Sequence, residues 1–187
     1  MINLPTALTL SRILVIPIVV SLFYFDNPMN RWIMLSIYIV AGITDFFDGY
    51  LARRSNQVSS LGRFLDPIAD KLLVACLLIM LAGFGRISDI SLIPALIILA
   101  REILVSGLRE FLAELKVIIH VSFLSKWKTG LQLVSLGFLI VGSDAPSWLF
   151  AEIIGEILLW LAGILTLTTG FDYIKLSVKY FNKDTQD

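Results

Sequence analysis

The sequence predicts an all-α integral membrane protein with six transmembrane helices, and three observations lead there. First, 57% of its 187 residues are hydrophobic and only 16% are charged, with a mean hydropathy of +0.86. Soluble domains are closer to half apolar and about a quarter charged, so the surplus apolar surface calls for a bilayer as solvent. Second, six predominantly apolar runs approach the roughly 20 residues needed to span hydrocarbon: 5–25, 32–52, 64–84, 91–111, 126–141 and 147–175. Third, the basic residues are unevenly placed. With a cytoplasmic N-terminus and alternating helices, only Arg31 and Arg86 of the fifteen Lys and Arg residues fall near the outer face. The other thirteen fall toward the cytoplasm, which is the positive-inside bias and puts both termini inside.

The elements follow in order. Asn3 or Thr6 is suited to cap the first helix, with Pro5 in its first turn. Arg12 lies inside the apolar run and no cationic region precedes it, which argues against a cleaved signal peptide. Asp26-Asn27-Pro28 breaks the chain before the second helix, and Gly85, Asp89 and Ser91 separate the third from the fourth. The polar stretch 142–147 separates the fifth from the sixth, and the tail 180–187 is expected to be flexible. No internal repeat is visible, so residues 1–187 read as one transmembrane domain. Zero net charge supplies no bias toward nucleic acid. Cys76 sits in an apolar run and reads as core or lipid-facing filler.

Carboxylates inside a membrane are costly and point to function. The second helix carries Asp45, Asp48, Gly49, Ala52 and Arg53. At about 100° per residue, all five fall within about 80° of Asp45, on one face. On the third helix Gly62, Asp66 and Asp70 are spaced by four and stack along one side, with Pro67 suited to a first turn. The segment 54–63 between them is short, so the two acidic faces are expected to meet. Four carboxylates without countercharge would repel one another and take up protons. Two divalent cations remove that conflict. Oxygen ligands with no Cys or His nearby favour Mg²⁺ or Mn²⁺, and two metals about 4 Å apart form a clamp for phosphoryl chemistry. Gly49, Ala52 and Gly62 leave room for a nucleotide to approach the backbone, and Arg53 offers paired donors to a phosphate. The bland alternative is a set of salt bridges holding helices together, which does not call for four aspartates with interleaved glycines.

The pattern Asp45-x2-Asp48-Gly49-x2-Ala52-Arg53-x8-Gly62-x3-Asp66-x3-Asp70 resembles the complete signature of the CDP-alcohol phosphatidyltransferase family, with eight specified residues over 26 positions. Outside it, Asn3-Leu4-Pro5-Thr6 with Leu8-Thr9 and Arg12, Ala100-Arg101-Glu102, Leu108-Arg109-Glu110, and Lys126-Trp127-Lys128-Thr129 with Gln132 are similar to the bacterial branch of the family that makes phosphatidylglycerophosphate. The resemblance implies the six-helix CDP-alcohol phosphotransferase fold, a homodimer, and an active site open to the cytoplasmic leaflet of the bacterial inner membrane. It implies two Mg²⁺ or Mn²⁺ ions held by Asp45, Asp48, Asp66 and Asp70. It implies CDP contacts from Thr6, Asp48, Gly49, Ala52, Arg53 and Gly62, and makes Asp70 the candidate catalytic base. The substrates implied are CDP-diacylglycerol, whose acyl chains stay among the membrane lipids, and sn-glycerol 3-phosphate.

A dianionic acceptor needs a cationic pocket, for which Arg101, Arg109, Lys126 and Lys128 are available. Arg101 lies mid-span, where a charge must face a cavity or a partner; a salt bridge to Glu102 of a neighbouring helix or to an aspartate is the alternative. Arg109, Lys116, Lys126 and Lys128 also fit a purely topological role. His120 reads as non-catalytic, Glu152 and Glu156 as a polar rim or dimer contact, and Gly163 and Gly170 as helix-packing positions. Three readings stay open beside this one. They are a sister enzyme using inositol phosphate, serine or phosphatidylglycerol, a membrane ion or metal transporter, and a structural membrane subunit.

Overall fold

The computed structural model describes residues 4–25, 27–55, 60–114, 117 and 123–184. It is all-helical over these residues. Six long helices follow one another: α1 (Leu4–Tyr24), α2 (Pro28–Ser55), α3 (Ser60–Gly83), α4 (Leu92–Glu114), α5 (Phe123–Val141) and α6 (Ala151–Asp184). Short 3-10 turns at Asp89–Ser91, Gly142–Asp144 and Ser147–Leu149 lead into α4 and α6.

Local chemistry accounts for the helix ends. The Asn27 side chain accepts a hydrogen bond from the Asn30 amide at 2.8 Å, so Asn27 caps α2 and Pro28 occupies its first position. At the end of α3 the Gly85 amide donates to Ala82 O and the Arg86 amide to Leu81 O, with Gly85 at φ +65°. That is a Schellman cap, and it satisfies carbonyls the helix leaves open.

In the bundle α1 packs against both α2 and α3, α5 against α6 and α2, and α6 also against α4. The core is made of Val19, Phe23, Met34, Leu77, Leu81, Ile98, Leu136, Leu139, Ile140 and Leu159, all nearly inaccessible. The outside is apolar as well. Val40, Ile79, Leu96, Ile103, Ile153, Ile164 and Leu167 are all exposed. Two stretches, Asp89–Ala113 and Ser147–Lys175, are long and apolar enough to cross a membrane, and Thr9–Tyr24 and Lys71–Gly83 are shorter apolar helices.

The end of the bundle where α5 finishes is latched by polar contacts. Arg31 pairs with Asp144 at 3.0 Å and donates to Ser143 Oγ and Val141 O. Arg86 donates to Ile140 O at 3.0 Å and lies over the Phe23 ring. Both guanidiniums thus meet the last carbonyls of α5, the negative end of its dipole. These are the two arginines expected at the outer face, and both take part in this latch. Glu156 accepts hydrogen bonds from Ser88 N, Ser88 Oγ and Ser91 Oγ, and Trp160 donates to Ser91 Oγ. Glu156 is therefore engaged within the chain, tying α6 to the start of α4.

α6 packs tightly against α4. A Cβ added to Gly163 would lie 2.7 Å from Pro94 Cβ and 3.2 Å from Pro94 Cα. The clash involves backbone that cannot easily move, so Gly163→Val is expected to destabilise the fold by about 1–3 kcal/mol. An unchanged melting temperature in detergent would refute that.

Candidate active site

All six helices contribute to one polar cavity of about 280 Å³. α1 supplies Arg12, α2 Tyr38, Ala41 and Gly42, and α3 Ala69 and Lys71. α4 supplies Arg101, Glu102 and Arg109, α5 Lys128 and Gln132, and α6 Tyr173. On α5 the lining residues Ser125, Lys128, Thr129, Gln132 and Leu133 alternate steps of three and one, which is one helical face. Tyr38 closes the junction of α2 and α5 by donating from its hydroxyl to Leu133 O at 3.1 Å.

Charge in this cavity is lopsided. Among the described residues, five cations line it (Arg12, Lys71, Arg101, Arg109 and Lys128) against one carboxylate, Glu102. Lys128 is only 2% exposed and forms an ion pair with Glu102. The same carboxylate lies 3.6 Å from Arg101 Nη1. Arg101 and Glu102 thus interact within one helix, and Lys128 is the partner from the next. The buried Tyr173 ring lies 5.7 Å from the Arg101 guanidinium carbon and 5.6 Å from that of Arg109. Its face holds both cations together by cation–π attraction. Gly170, one turn earlier on α6, makes room for the Arg101 stem; a Cβ there would approach Arg101 Cγ to 3.1 Å. Arg101 Nε is buried and has no hydrogen-bond partner among the described residues. Among the described residues, one carboxylate is thus shared by two cations, and the Arg101 Nε has no partner there.

The helices that carry the signature also supply residues to this cavity. Ala41 and Gly42 line it about one turn before Asp45 on α2, and Ala69 and Lys71, which line it on α3, flank Asp70 in sequence. Asp45, Asp48, Gly49, Ala52, Arg53, Asp66 and Asp70 have helical backbone, as does Thr6. Their side chains lie outside the described residues, so the meeting of the two acidic faces does too. Gly62 is buried. Lys116 and His120 lie outside the described residues altogether.

Of the four basic residues expected to meet an acceptor phosphate, Arg101, Arg109 and Lys128 share the cavity. Lys126 is exposed and is not on its wall, because it sits two residues from Lys128 and so on another side of α5. The structure adds Arg12, Lys71, Gln132 and Tyr173 to the wall. Arg12 carried a sequence signal, a charge inside an apolar run, and Gln132 stands one turn from Lys128 on the same face. Nothing local marked Tyr173.

A family model described as CDP-alcohol phosphatidyltransferase matches residues 2–168. This chain belongs to that family. The CDP-alcohol phosphatidyltransferase match sets aside the transporter and structural-subunit readings. It stops before Gly170 and Tyr173, so the α6 wall of the cavity lies beyond the matched segment. Among similar proteins, one from Rickettsia bellii is 51% identical over 179 residues, covering 96% of this chain and 97% of its own. One from Haemophilus influenzae is 39% identical over 177 residues, covering 94% and 93%. One from Cereibacter sphaeroides is 34% identical over 217 residues, covering 97% and 98%. All three are named CDP-diacylglycerol–glycerol-3-phosphate 3-phosphatidyltransferase.

Proposed function

We propose that the chain transfers the phosphatidyl group of CDP-diacylglycerol to sn-glycerol 3-phosphate and releases CMP, the step that leads toward phosphatidylglycerol and cardiolipin. The observation that carries the choice of acceptor is the cation-rich cavity beside the aspartate segments, with Arg101, Arg109 and Lys128 around it. A phosphorylated acceptor matches that charge, whereas serine has no phosphate for it. The similar proteins named above carry this activity in their names.

The chain's residues divide the work. Arg53 and the small residues Gly49, Ala52 and Gly62, with Thr6, receive the CDP moiety. The acyl chains of the donor remain in lipid beside the apolar exterior. Arg101, Arg109 and Lys128 hold the phosphate of the acceptor and aim its primary hydroxyl toward Asp70. Asp70 takes the hydroxyl proton as the oxygen attacks the phosphorus that bears diacylglycerol. The bond from that phosphorus to the CMP oxygen breaks, and CMP departs with the electron pair. Asp45, Asp48, Asp66 and Asp70 form an oxygen-only donor set, with helical spacing and no Cys or His within it, which fits two Mg²⁺ or Mn²⁺ ions. When bound, such ions supply charge neutralisation to the pyrophosphate.

We place the protein in the bacterial cytoplasmic membrane as a six-span, multi-pass homodimer with termini and site on the cytoplasmic side. The apolar exterior of the bundle supports the membrane setting, and the sequence positions of thirteen of the fifteen basic residues, under alternating helices, support the orientation. The test uses purified protein in detergent with CDP-diacylglycerol and a panel of acceptors, reading CMP release. The expected result is release with glycerol 3-phosphate, abolished by EDTA and restored by Mg²⁺ or Mn²⁺. Release only with inositol phosphate would transfer the chain to a sister activity.

A further inference from the structure

Gln132 is 3% exposed, lines the cavity, and has a buried side-chain oxygen, Oε1, with no hydrogen-bond partner among the described residues. A buried amide carbonyl without a donor is costly, and a protein retains one where something else supplies the donor. The surroundings narrow what that is. Among the described residues, the charged side chains around the cavity are donors, apart from Glu102, which is committed to Lys128 and Arg101. Thr129 already donates its hydroxyl hydrogen to Ser125 O, and Tyr38 donates its own to Leu133 O. Gln132 Oε1 is therefore a buried neutral acceptor on a residue of a cavity wall whose described charged side chains are mostly cations. It stands one turn from Lys128 on the same face of α5, about 6 Å along the axis. That is the scale of a short phosphorylated polyol lying with its phosphate among the cations.

We propose that Gln132 determines specificity by accepting a hydrogen bond from the secondary hydroxyl of the acceptor alcohol. The assignment rests on the proposed activity. It makes the enzyme select a phosphorylated polyol over a phosphorylated simple alcohol of the same length. A site built around a hydroxyl rejects the analogue lacking it, because its own buried group is then left unpaired.

The test compares glycerol 3-phosphate with 3-hydroxypropyl phosphate, which keeps the primary hydroxyl and the phosphate and lacks only the secondary hydroxyl. Both acceptors are assayed on one preparation, so the ratio of their kcat/KM values does not depend on the fraction of folded protein. Wild type is expected to prefer glycerol 3-phosphate by about 10- to 100-fold. In Gln132→Met, which keeps volume and removes the acceptor, the ratio should fall to within about threefold of one. Gln132→Glu, which keeps an acceptor oxygen at that place, should retain a preference of the same sign. A wild-type ratio near one, or an unchanged ratio in Gln132→Met, would overturn the assignment while leaving the activity standing. Failure of wild type to release CMP with glycerol 3-phosphate would overturn the activity and this assignment together.

Discussion

Asp70→Asn is expected to lower kcat by at least about 10³-fold while CDP-diacylglycerol still binds. The substitution keeps the size of the side chain and removes its ability to take a proton at neutral pH. It also removes one of the four carboxylates proposed to hold the metal ions, so two losses combine. They are separable. Loss of the base alone leaves the Mg²⁺ dependence of nucleotide binding unchanged, and loss of metal binding shifts it to higher Mg²⁺. Asp45→Asn tests the metal role by itself, since Asp45 has no assigned proton. Binding is read by calorimetry with CDP-diacylglycerol in mixed micelles and turnover by CMP release. Turnover of Asp70→Asn within about tenfold of wild type would end the assignment of the base.

Arg101→Lys is expected to raise KM for glycerol 3-phosphate by about 10- to 100-fold, with KM for CDP-diacylglycerol changed little. Charge is conserved, so the prediction isolates geometry. In the wild type the Arg101 stem runs over Gly170, its guanidinium lies 5.7 Å from the Tyr173 ring, and its Nε is buried without a partner among the described residues. A planar fork held that way presents donors in fixed directions to a phosphate. A lysine has no second donor at the position of Nε and a flexible end. Equal KM rises for both substrates would mean that Arg101 serves the architecture of the cavity instead of the acceptor.

Much of the fold was legible in hydropathy, and the departures from it have local causes. α2 begins at Pro28 and not near 32, because the Asn27 cap and a first-turn proline start a helix before the apolar run does. Residues 147–149 form a separate 3-10 turn, since Phe150 takes φ 45° and interrupts the chain before α6. α6 continues to Asp184, well past the last apolar window and into the tail expected to be flexible. Hydropathy reports where a helix is greasy, and helical hydrogen bonding does not stop where polarity begins.

The site divides in the same way. The four aspartates, Gly49, Ala52, Arg53 and Gly62 stood out in the sequence by their spacing, and the structure shows both halves of the motif on single helices, α2 and α3. Arg101 stood out as a charge in mid-span, whereas Arg109 and Lys128 were also consistent with topology signals. Their neighbours were not legible. Tyr173 stands more than sixty residues beyond Arg101 and Arg109, and Lys128 meets Glu102 across 26 positions. Lys126 and Lys128 look alike in sequence, and only the way α5 is turned against α4 puts one in the cavity and the other outside it. By itself the sequence determined the class of chemistry, since that depends on residue types repeated along single helices. Which cations share a cavity, which carboxylate holds them, and where the Gln132 amide is buried were decided by tertiary packing. Those relations join helices whose mutual rotation no local periodicity records.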